Sequence, residues 1–523
     1  MKPIALLTMS CLSLLVPCSA IGAQDRPALV VVLIIDGLRP ESITAGDTPN
    51  LDRLRSRGVW YTRAHSIFPT VTRANTATIS TGALPSRHGI VSNSVYLPSV
   101  SKTVLSNGDY RNLLSLGKLN GGRVVGPKSL GEYFQAAGIR YVALSSGSTG
   151  NALLLNPTAP YGNGSLINPG FENGTRVAFP DALSAALLGR FGPVKVDDEN
   201  QAMLWTERVL REYVLETLHP QVLIDWMGRT DSAQHSFGVG SPQGLAALRL
   251  VDQQIGLLLE RLRELKLEDK TDIIVACDHG FDYEPAADVL APLRESDLAP
   301  GDVVTDNEGG ATLFYVKDHD PEKISKLVTK FQANQNTNAI FVASRRPSNG
   351  SFQCSAGAVK GFAPGTFALE FAGQCVPSRG LDMIVTYRWD ETPSPFGVPG
   401  TQWVPGMNQQ AARNGHGGLN PYVTHSTLLA AGPDFARGKT IALPAGNQDI
   451  APTLLTIQGL AVPASLDGRV LSEALKNPPK SVRLQPVVRR IPVSAGSYCA
   501  ELDVSYAGSH VYLNHASRCA AKP

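Results

Sequence analysis

The chain carries the stretch ALVVVLIIDG at residues 28–37, in which an apolar run ends directly in Asp36 and Gly37. A short run that is rich in Val and Ile and has no polar face is typical of a parallel strand buried on both sides. Similar runs, each ending in a turn or a polar residue, recur at residues 141–144, 222–224, 273–277 and 428–431. The repetition predicts a parallel sheet whose strands lead into polar residues.

An amphipathic helix is predicted between two of these runs, because its apolar residues recur every three or four positions and charged residues occupy the other face. The apolar positions are Leu248, Val251, Ile255, Leu258, Leu262 and Leu265. Strands that alternate with such helices predict a doubly wound, mostly parallel α/β sheet, and such sheets bind ligands at the carboxyl ends of their strands. The polar residues that follow the strands are therefore the candidates for chemistry.

The alternation of strands and helices is interrupted at residues 145–200, which are dense in Gly, Asn and Pro, and at residues 340–410, which carry short β-like runs. We expect both segments to be insertions over the functional site of one domain spanning residues 24–480, the second forming a small β-rich region. Residues 481–523 are expected to form a C-terminal tail.

The composition excludes several classes of protein. The 47 Lys and Arg residues against 45 Asp and Glu residues leave a formal charge of +2, which is too near balance to indicate a stable nucleic-acid partner or a membrane surface. Hydrophobic residues make up 43% of the chain, which is typical of a folded protein rather than a disordered or collagen-like one. Net charge therefore does not identify the ligand.

Residues 1–23 have the layout of a cleaved secretory signal, with Lys2 before an apolar run and small residues after it. A membrane span needs about 20 apolar residues, and Pro17 interrupts a run that is already shorter than this. A lipid anchor at Cys18 is the alternative, although Pro17 is a poor residue before such a cysteine. We expect no membrane span and a mature protein that is secreted or periplasmic.

Five cysteines follow the predicted signal segment. In an oxidising compartment the economical pairing joins sequence neighbours, Cys354 with Cys375 and Cys499 with Cys519, the second pair closing the tail. Each pair closes a loop of about 20 residues, which is worth about 3 kcal/mol in the chain-entropy model. Cys277 lies in an apolar run and is expected to be an inert buried thiol.

Acidic and imidazole side chains follow several of the predicted strands. Asp36 ends the first one, and Asp278 and His279 end a later one. A loop after another strand carries Asp231 and His235, and His416 lies between glycines that let the backbone approach a ligand: the set of three carboxylates and three imidazoles is Asp36, Asp231, Asp278, His235, His279 and His416. Mixed oxygen and nitrogen ligands suit Zn²⁺ better than Mg²⁺ or Ca²⁺, and two such ions can promote in-line displacement at phosphorus.

A nucleophile for that reaction is expected in the segment FPTVTRANT, residues 68–76, which leads into a predicted helix at residues 76–81. A hydroxyl at a helix N-terminus is favoured both as a cap and beside an anion. On this argument Thr70, Thr72 and Thr76 all compete, since most threonines at such a position act only as caps.

The order of these motifs resembles the alkaline phosphatase superfamily, and within it the type I phosphodiesterase/nucleotide pyrophosphatase branch. The resemblance spans residues 28–475, and its motifs are highly specific as an ordered set although each alone is weak. They are residues 34–40, 48–52, 68–72, 81–90, 231–235, 278–280, 416–417, 449–454 and 467–468.

The resemblance implies a site with two Zn²⁺ ions and a role for each motif residue. One zinc would be held by Asp36, Thr72, Asp278 and His279, and the other by Asp231, His235 and His416. Thr72 would be the nucleophile, which forms a covalent phosphothreonine. The family's phosphate-binding asparagine lies 21 residues after its nucleophile, which corresponds to Asn93 in this sequence. Its amide would donate a hydrogen bond to a non-bridging phosphate oxygen.

The sequence departs from the family pattern at Arg73, where nucleotide-cleaving members usually carry an aromatic residue. Related monoesterases and phosphonate hydrolases present basic side chains on the segment that corresponds to residues 145–150, and this segment has none. A small-molecule phosphate diester or phosphoanhydride is therefore expected as the substrate. A monoester remains the alternative, because Arg73 could compensate its second charge. Phosphonate hydrolysis is a more distant alternative.

Side chains that could line the substrate pocket are Arg73, Tyr96, Trp226 and Tyr283. From another class of protein, the chain could be a catalytically silent ligand-binding module that kept the fold. The complete set of presumed ligands with Thr72 and Asn93 disfavours that alternative.

Overall fold

The computed structural model describes residues 27–348, 350–406, 412–478 and 484–519, so the predicted signal segment 1–23 lies outside the described residues. A nine-stranded mixed sheet forms the centre of the molecule. In spatial order its strands are Lys439–Ile441, Val59–Tyr61, Leu428–Ala431, Thr271–Ala276, Leu29–Ile35, Val222–Met227, Tyr141–Ser145, Ser165–Ile167 and Ala178–Phe179.

The strand Leu29–Ile35 is buried along its whole length and pairs in parallel with both of its neighbours. Its side chains alternate between two cores: Val30, Val32 and Ile34 face one, and Leu29, Val31, Leu33 and Ile35 face the other. Helix Thr72–Thr81 packs in the first core, and helix Pro242–Glu264 covers the second with its apolar stripe. Helices on both faces of a largely parallel sheet confirm the doubly wound α/β fold.

The α-helices of the described residues alternate with the strands for most of the chain. They are Pro49–Arg57, Thr72–Thr81, Pro85–His88, Tyr110–Leu119, Leu130–Ala136, Thr149–Leu155, Asp181–Phe191, Glu199–Val209, Arg229–Phe237, Pro242–Glu264, Ala291–Arg294, Pro321–Ala333, Pro421–Thr424 and Ile450–Ile457. A π-helical segment, Leu210–Leu218, continues the helix that begins at Glu199. Within the described ranges, we find no helix with both the length and the apolar character that a membrane span requires.

A second, β-rich region lies beside the central sheet and is larger than the segment 340–410 that the sequence predicts. One sheet contains Val303–Asn307, Ala311–Val316, Met383–Tyr387, Thr337–Val342 and Phe367–Ala368. Another contains Trp389–Pro393, Pro399–Gln402, Asp282–Ala287 and Val404–Pro405, with Ala412–Gly415 paired to Asp282–Ala287. Short pairs of strands complete the set, at Ser94–Val95 with Leu105–Ser106, and at Ala64–His65 between His425–Ser426 and Ala445–Gly446.

The C-terminal segment forms a three-stranded antiparallel sheet, Pro486–Ala495, Tyr498–Ala507 and His510–Arg518, which packs its apolar face into the core of the β-rich region. Both predicted disulfides are present, between Cys354 and Cys375 and between Cys499 and Cys519. Cys277 is free and buried, and burial raises the pKa of its thiol well above the usual value, which is consistent with an inert side chain.

Two sequence predictions about the central sheet need correction. Strand Leu428–Ala431 runs antiparallel to its neighbour, because an apolar run carries no information about direction. The segment 145–200 adds two short strands to the edge of the sheet. The strand predicted to end at Ile224 continues to Met227, so that Asp225 lies inside the strand.

Asp225 and Glu207 form a carboxyl pair that is inaccessible to solvent. Burial raises the pKa of Asp225 to about 7, and burial together with the charge of Asp225 raises the pKa of Glu207 well above its usual value. The folded protein therefore keeps protons on this pair that the unfolded chain releases near pH 4. The sign follows from linkage: the stability that protonation contributes is lost as the pH rises from about 4 to about 7.

Between about pH 5 and about pH 8, the free energy of unfolding should fall by a few kcal/mol less in Asp225→Asn than in the unchanged protein, because the amide cannot ionise. Urea unfolding at both pH values measures the difference. Asp181→Asn, on an exposed side chain, is the control and should follow the unchanged protein. Equal losses in all three proteins would contradict the buried-pair explanation.

Candidate active site

Three neighbouring strands deliver three aspartates to the carboxyl edge of the central sheet. Asp36 follows strand Leu29–Ile35, and Asp278 follows the adjacent parallel strand Thr271–Ala276 by two residues. Asp231 lies in helix Arg229–Phe237, which begins two residues after the strand on the other side. The sequence predicts a loop around Asp231 and His235; the structure instead places them one helical turn apart on the same face of a helix.

The aspartates and histidines form two overlapping clusters. One ligand atom from each of Asp36, Asp231 and His279 lies within 4.8 Å of the other two, and the same holds for Asp231, His235 and His416. Asp278 joins the first cluster, since its Oδ2 lies 3.0 Å from Nε2 of His279. The structure thus brings together all six acidic and imidazole side chains singled out from the sequence, with Asp231 between the two groups.

Each of the three imidazoles is anchored through Nδ1 to a backbone carbonyl. Nδ1 of His235 lies 2.8 Å from the Asn414 oxygen, and Nδ1 of His279 lies 3.0 Å from that of Gly280. Nδ1 of His416 lies 2.8 Å from the Thr70 oxygen. A carbonyl can only accept, so Nδ1 carries the proton and Nε2 presents its lone pair to the cluster. This is the tautomer that a metal-binding histidine requires.

The carboxylates present unpaired oxygens at the same place. Within the described residues, Asp36 Oδ1, Asp231 Oδ1 and Asp278 Oδ2 are buried and accept no hydrogen bond. Burial and the charges of Asp278 and Asp231 raise the pKa of Asp36 well above its usual value. Burial opposes ionisation of Asp231 too, but the neighbouring histidines outweigh it and lower that pKa. Orphaned carboxylate oxygens facing three imidazole lone pairs are a donor set that fits divalent cations.

Trp226 holds the side chain of Asp36 in position. The sequence offers it as a residue of the substrate pocket, but its side chain is fully buried and its indole Nε1 donates a 3.0 Å hydrogen bond to Asp36 Oδ2. The pocket assignment is therefore wrong. The bond holds Asp36 so that its other oxygen faces the cluster.

Of the three competing threonines, only Thr72 directs its hydroxyl at the cluster. Its Oγ1 lies 3.3 Å from Nε2 of His279, and Thr72 is the first residue of helix Thr72–Thr81. Thr70 donates from its hydroxyl to the Gly418 carbonyl at 2.9 Å, and Thr76 donates to the Thr72 carbonyl at 2.7 Å. Tertiary contacts therefore separate residues that helix-capping preferences alone cannot.

Asn93 is held with its amide nitrogen available. Its Oδ1 accepts a 3.0 Å hydrogen bond from the backbone N–H of Arg73, so Nδ2 is the group left to contact a ligand. Asn75, the nearer asparagine, instead serves the local turn, because its side chain bonds to the backbone of Ile67 and Val71.

The sequence gives no signal for the carboxylates that position Asn93. Glu308 Oε1 accepts a 3.1 Å hydrogen bond from the Asn93 backbone N–H. The Ser92 hydroxyl lies within hydrogen-bond distance of both Glu308 Oε1 and Asp306 Oδ2, 2.7 Å from the latter. Burial and the charge of Asp306 raise the pKa of Glu308 well above its usual value. Because these residues lie more than 200 positions from Ser92, only the fold reveals the arrangement.

Two cavities open at the site. One of about 370 Å³ is lined by Asp36, Thr72, Asp231, Arg73 and the loop at residues 146–149, among others. The other, of about 350 Å³, is lined by Asn93, His235, His416 and Glu308, among others. Arg73 thus lies where the sequence places it. Tyr96 lines neither cavity and packs against the Tyr315 ring at 5.2 Å, while Tyr283 pairs with Asn414 in a sheet.

Comparison with known proteins identifies the family of this chain. The family model for type I phosphodiesterase/nucleotide pyrophosphatase matches residues 30–349. The chain therefore belongs to this family, a branch of the alkaline phosphatase superfamily.

Two curated relatives share about a quarter of the aligned residues with this chain. Human ectonucleotide pyrophosphatase/phosphodiesterase family member 1 is 25% identical over 279 residues, which cover 51% of this chain and 25% of the relative. An uncharacterized pyrophosphatase/phosphodiesterase of Schizosaccharomyces pombe is 26% identical over 260 residues, which cover 50% of this chain and 46% of the relative. The matched region thus spans less than half the length of either relative.

Among solved structures, murine ectonucleotide pyrophosphatase/phosphodiesterase 5 matches with a TM-score of 0.57 at 15% identity and covers 86% of this chain and 100% of its own. An inactive threonine-to-alanine variant of that protein in complex with AMP matches with a TM-score of 0.58 at 16% identity. At this identity the likeness shows a shared fold.

The charges of the two clusters predict that Asp36→Asn shifts the unfolding temperature in opposite directions with and without metal. Without metal, Asp36→Asn should raise the unfolding temperature, because it removes a carboxyl group whose ionisation is opposed by burial and by the charges of Asp278 and Asp231. With added Zn²⁺ the order should reverse, because the variant has lost a ligand and gains less from binding. Thermal unfolding of chelator-treated protein, before and after Zn²⁺, measures both effects.

The matched control is Asp288→Asn, on an exposed side chain, which should behave as the unchanged protein does in both conditions. If Zn²⁺ stabilises Asp36→Asn as much as it stabilises the unchanged protein, Asp36 is not a ligand.

Proposed function

We propose that this chain is a secreted two-zinc hydrolase that cleaves phosphate diesters or phosphoanhydrides through a covalent phosphothreonine at Thr72. The observation that carries the proposal is the position of Thr72, whose Oγ1 lies 3.3 Å from Nε2 of His279 at the start of a helix. Names of relatives support the reaction class, since they are called pyrophosphatase/phosphodiesterase or, in Crotalus adamanteus, venom phosphodiesterase. The inactive threonine-to-alanine variant of the murine protein supports the choice of nucleophile.

The donor set assigns the residues that would hold the two ions. Asp36, Thr72, Asp278 and His279 would hold one, and Asp231, His235 and His416 the other. When bound, zinc supplies Lewis-acid chemistry, lowering the pKa of a coordinated hydroxyl and stabilising charge on oxygen. The Nδ1 anchors of the three histidines keep the coordinating nitrogens aimed inward before any ion arrives.

The chain's own residues perform the displacement. Thr72 Oγ1 attacks phosphorus, a new Oγ1–P bond forms, the bond from phosphorus to the leaving oxygen breaks, and the proton of the Thr72 hydroxyl passes to the leaving oxygen. Asn93 Nδ2 donates to a non-bridging phosphate oxygen, which accumulates charge in the transition state. Water then cleaves the Oγ1–P bond, which releases the phosphorylated product and restores the hydroxyl of Thr72.

We further propose that residues 1–23 are removed on export and that residues 24–480 are the catalytic domain, followed by the tail 481–523. The two disulfides support an oxidising compartment, because such bonds persist outside the cytoplasm. The relatives named ectonucleotide enzymes are consistent with this location.

Thr72→Ala is expected to lower hydrolysis of bis(p-nitrophenyl) phosphate at least about 10³-fold, because the covalent route is lost. Release of nitrophenol from this diester and from p-nitrophenyl phosphate, assayed in parallel, measures both activity and preference, and the diester should be the better substrate. Thr329→Ala, on an exposed helical position, is the control.

Undiminished activity in Thr72→Ala would refute the assignment of the nucleophile. A preference for the monoester would indicate an alkaline phosphatase-like enzyme. An unchanged protein that hydrolyses neither ester with zinc bound would indicate the silent binding module.

Asn93→Ala should lower kcat for the diester about 10²-fold to 10³-fold, because a preorganised donor to the developing charge is removed. KM should change less, since the hydrogen bond strengthens in the transition state. Steady-state kinetics of Asn93→Ala and of Asn120→Ala, on an exposed asparagine, give the comparison. An Asn93→Ala variant altered in KM alone would assign Asn93 to ground-state binding.

A further inference from the structure

The cavity of about 370 Å³ has the size of a small-molecule binding pocket, far larger than a phosphoryl group requires. It begins at Thr72, Asp36 and Asp231 and continues along the loop Ser146–Thr149. If the proposed function holds, the group that stays attached to phosphorus throughout the reaction has to lie beside Thr72. The walls of this cavity can therefore select that retained group.

Arg73 brings to the cavity a guanidinium that forms no close ion pair within the described residues. Its charge reaches the Glu308 carboxyl, where it acts to lower a pKa that burial raises. Its Nη2 donates a 3.0 Å hydrogen bond to the Ser148 hydroxyl, and its buried Nε donates to no acceptor within the described residues. No carboxylate of those residues lies within 4.0 Å of this guanidinium. Arg229, on another wall, differs because Glu199 lies 3.5 Å from it and Asn200 accepts a hydrogen bond from it.

The surroundings of Arg73 keep this cation in place and leave it open to a ligand. Ser148 caps helix Thr149–Leu155 and accepts the bond from Arg73, which fixes the head group at the loop. A side chain on Gly108 would begin 3.2 Å from Nη2, so the glycine leaves the guanidinium room. The hydrogen bonds of this head group run to Ser148 and to none of the residues proposed to hold metal.

A partly buried guanidinium that has lost water and forms no close ion pair with an acid of the described residues is a strong site for an anion. Its head group is tied to the loop at Ser148 instead of to the metal cluster, which favours an anion on the substrate's substituent over a second charge on phosphorus. We propose that this cavity binds the retained group of the substrate and that Arg73 pairs with a carboxylate or phosphate carried by that group. This inference rests on the proposed function and narrows its substrates to esters with an anionic retained group.

A set of nitrophenyl phosphodiesters tests the proposal, because the leaving group stays the same while the retained group changes. The retained groups are ethyl, 2-carboxyethyl and 2-aminoethyl, and p-nitrophenyl phosphate carries its second charge on phosphorus. With the zinc-loaded protein, kcat/KM for the carboxyethyl ester should exceed that for the ethyl ester at least about 10-fold, mainly through KM. The aminoethyl ester should be the poorest substrate.

Arg73→Gln should reduce the carboxyethyl-to-ethyl ratio to about one, and Arg73→Lys should keep part of it. Both variants retain the backbone N–H that orients Asn93, so a change in the ratio reports the side chain. Arg294→Gln, an exposed arginine, is the control and should keep the full ratio.

A ratio near one in the unchanged protein, or a ratio that survives Arg73→Gln, would overturn the assignment. An effect of Arg73 confined to p-nitrophenyl phosphate would also overturn it, because the second charge would then lie on phosphorus. If the unchanged protein hydrolyses none of the esters faster than Thr72→Ala does, the proposed function itself fails.

Discussion

Repulsion among three closely spaced aspartates is the constraint on which the rest of the site depends. Asp36, Asp231 and Asp278 reach one small region because three neighbouring parallel strands end there. Two unit charges about 4 Å apart repel by about 4 kcal/mol at an effective dielectric constant of 20, so three carboxylates need compensating positive charge. The nearby imidazoles supply part of it only if they protonate, and their Nε2 lone pairs are arranged for coordination instead. The cluster thus has the charge and the donors of a cation site.

The β-rich region completes this site from the other side. Phe68 and Val91, which flank the nucleophile segment and the asparagine loop, pack in its core, and Gln374 donates a 2.6 Å hydrogen bond to the Phe68 carbonyl. The same region supplies His416, which is tied to Thr70, and Glu308, which holds Asn93. The segment from Phe68 to Thr72 is therefore clamped between two cores. Such rigidity suits a nucleophile whose oxygen has to be positioned to within a fraction of an ångström.

Much of this arrangement could be predicted from the sequence. The strands that lead into Asp36 and Asp278, the helix at residues 242–264 and both disulfides follow from local pattern and spacing. The pattern could not predict the direction of strand Leu428–Ala431, because an apolar run indicates burial and not direction. It also could not predict that a strand continues through Asp225, because an acidic residue after an apolar run usually indicates the end of a strand. Trp226 was misplaced for a related reason: an aromatic residue beside a site can equally line a pocket or support a ligand from behind.

By itself, the sequence determined which chemical groups are available, the order in which they occur and the strands that carry most of them to one edge of the sheet. These are local properties, since burial and backbone preference act over a few residues. Only the tertiary structure decided that Thr72, and neither Thr70 nor Thr76, faces the cluster, that the three histidines of the cluster are anchored through Nδ1, and that Arg73 forms no close ion pair within the described residues. Most of those facts depend on contacts between residues far apart in the chain, and the direction in which a side chain points is set by the neighbours that packing supplies.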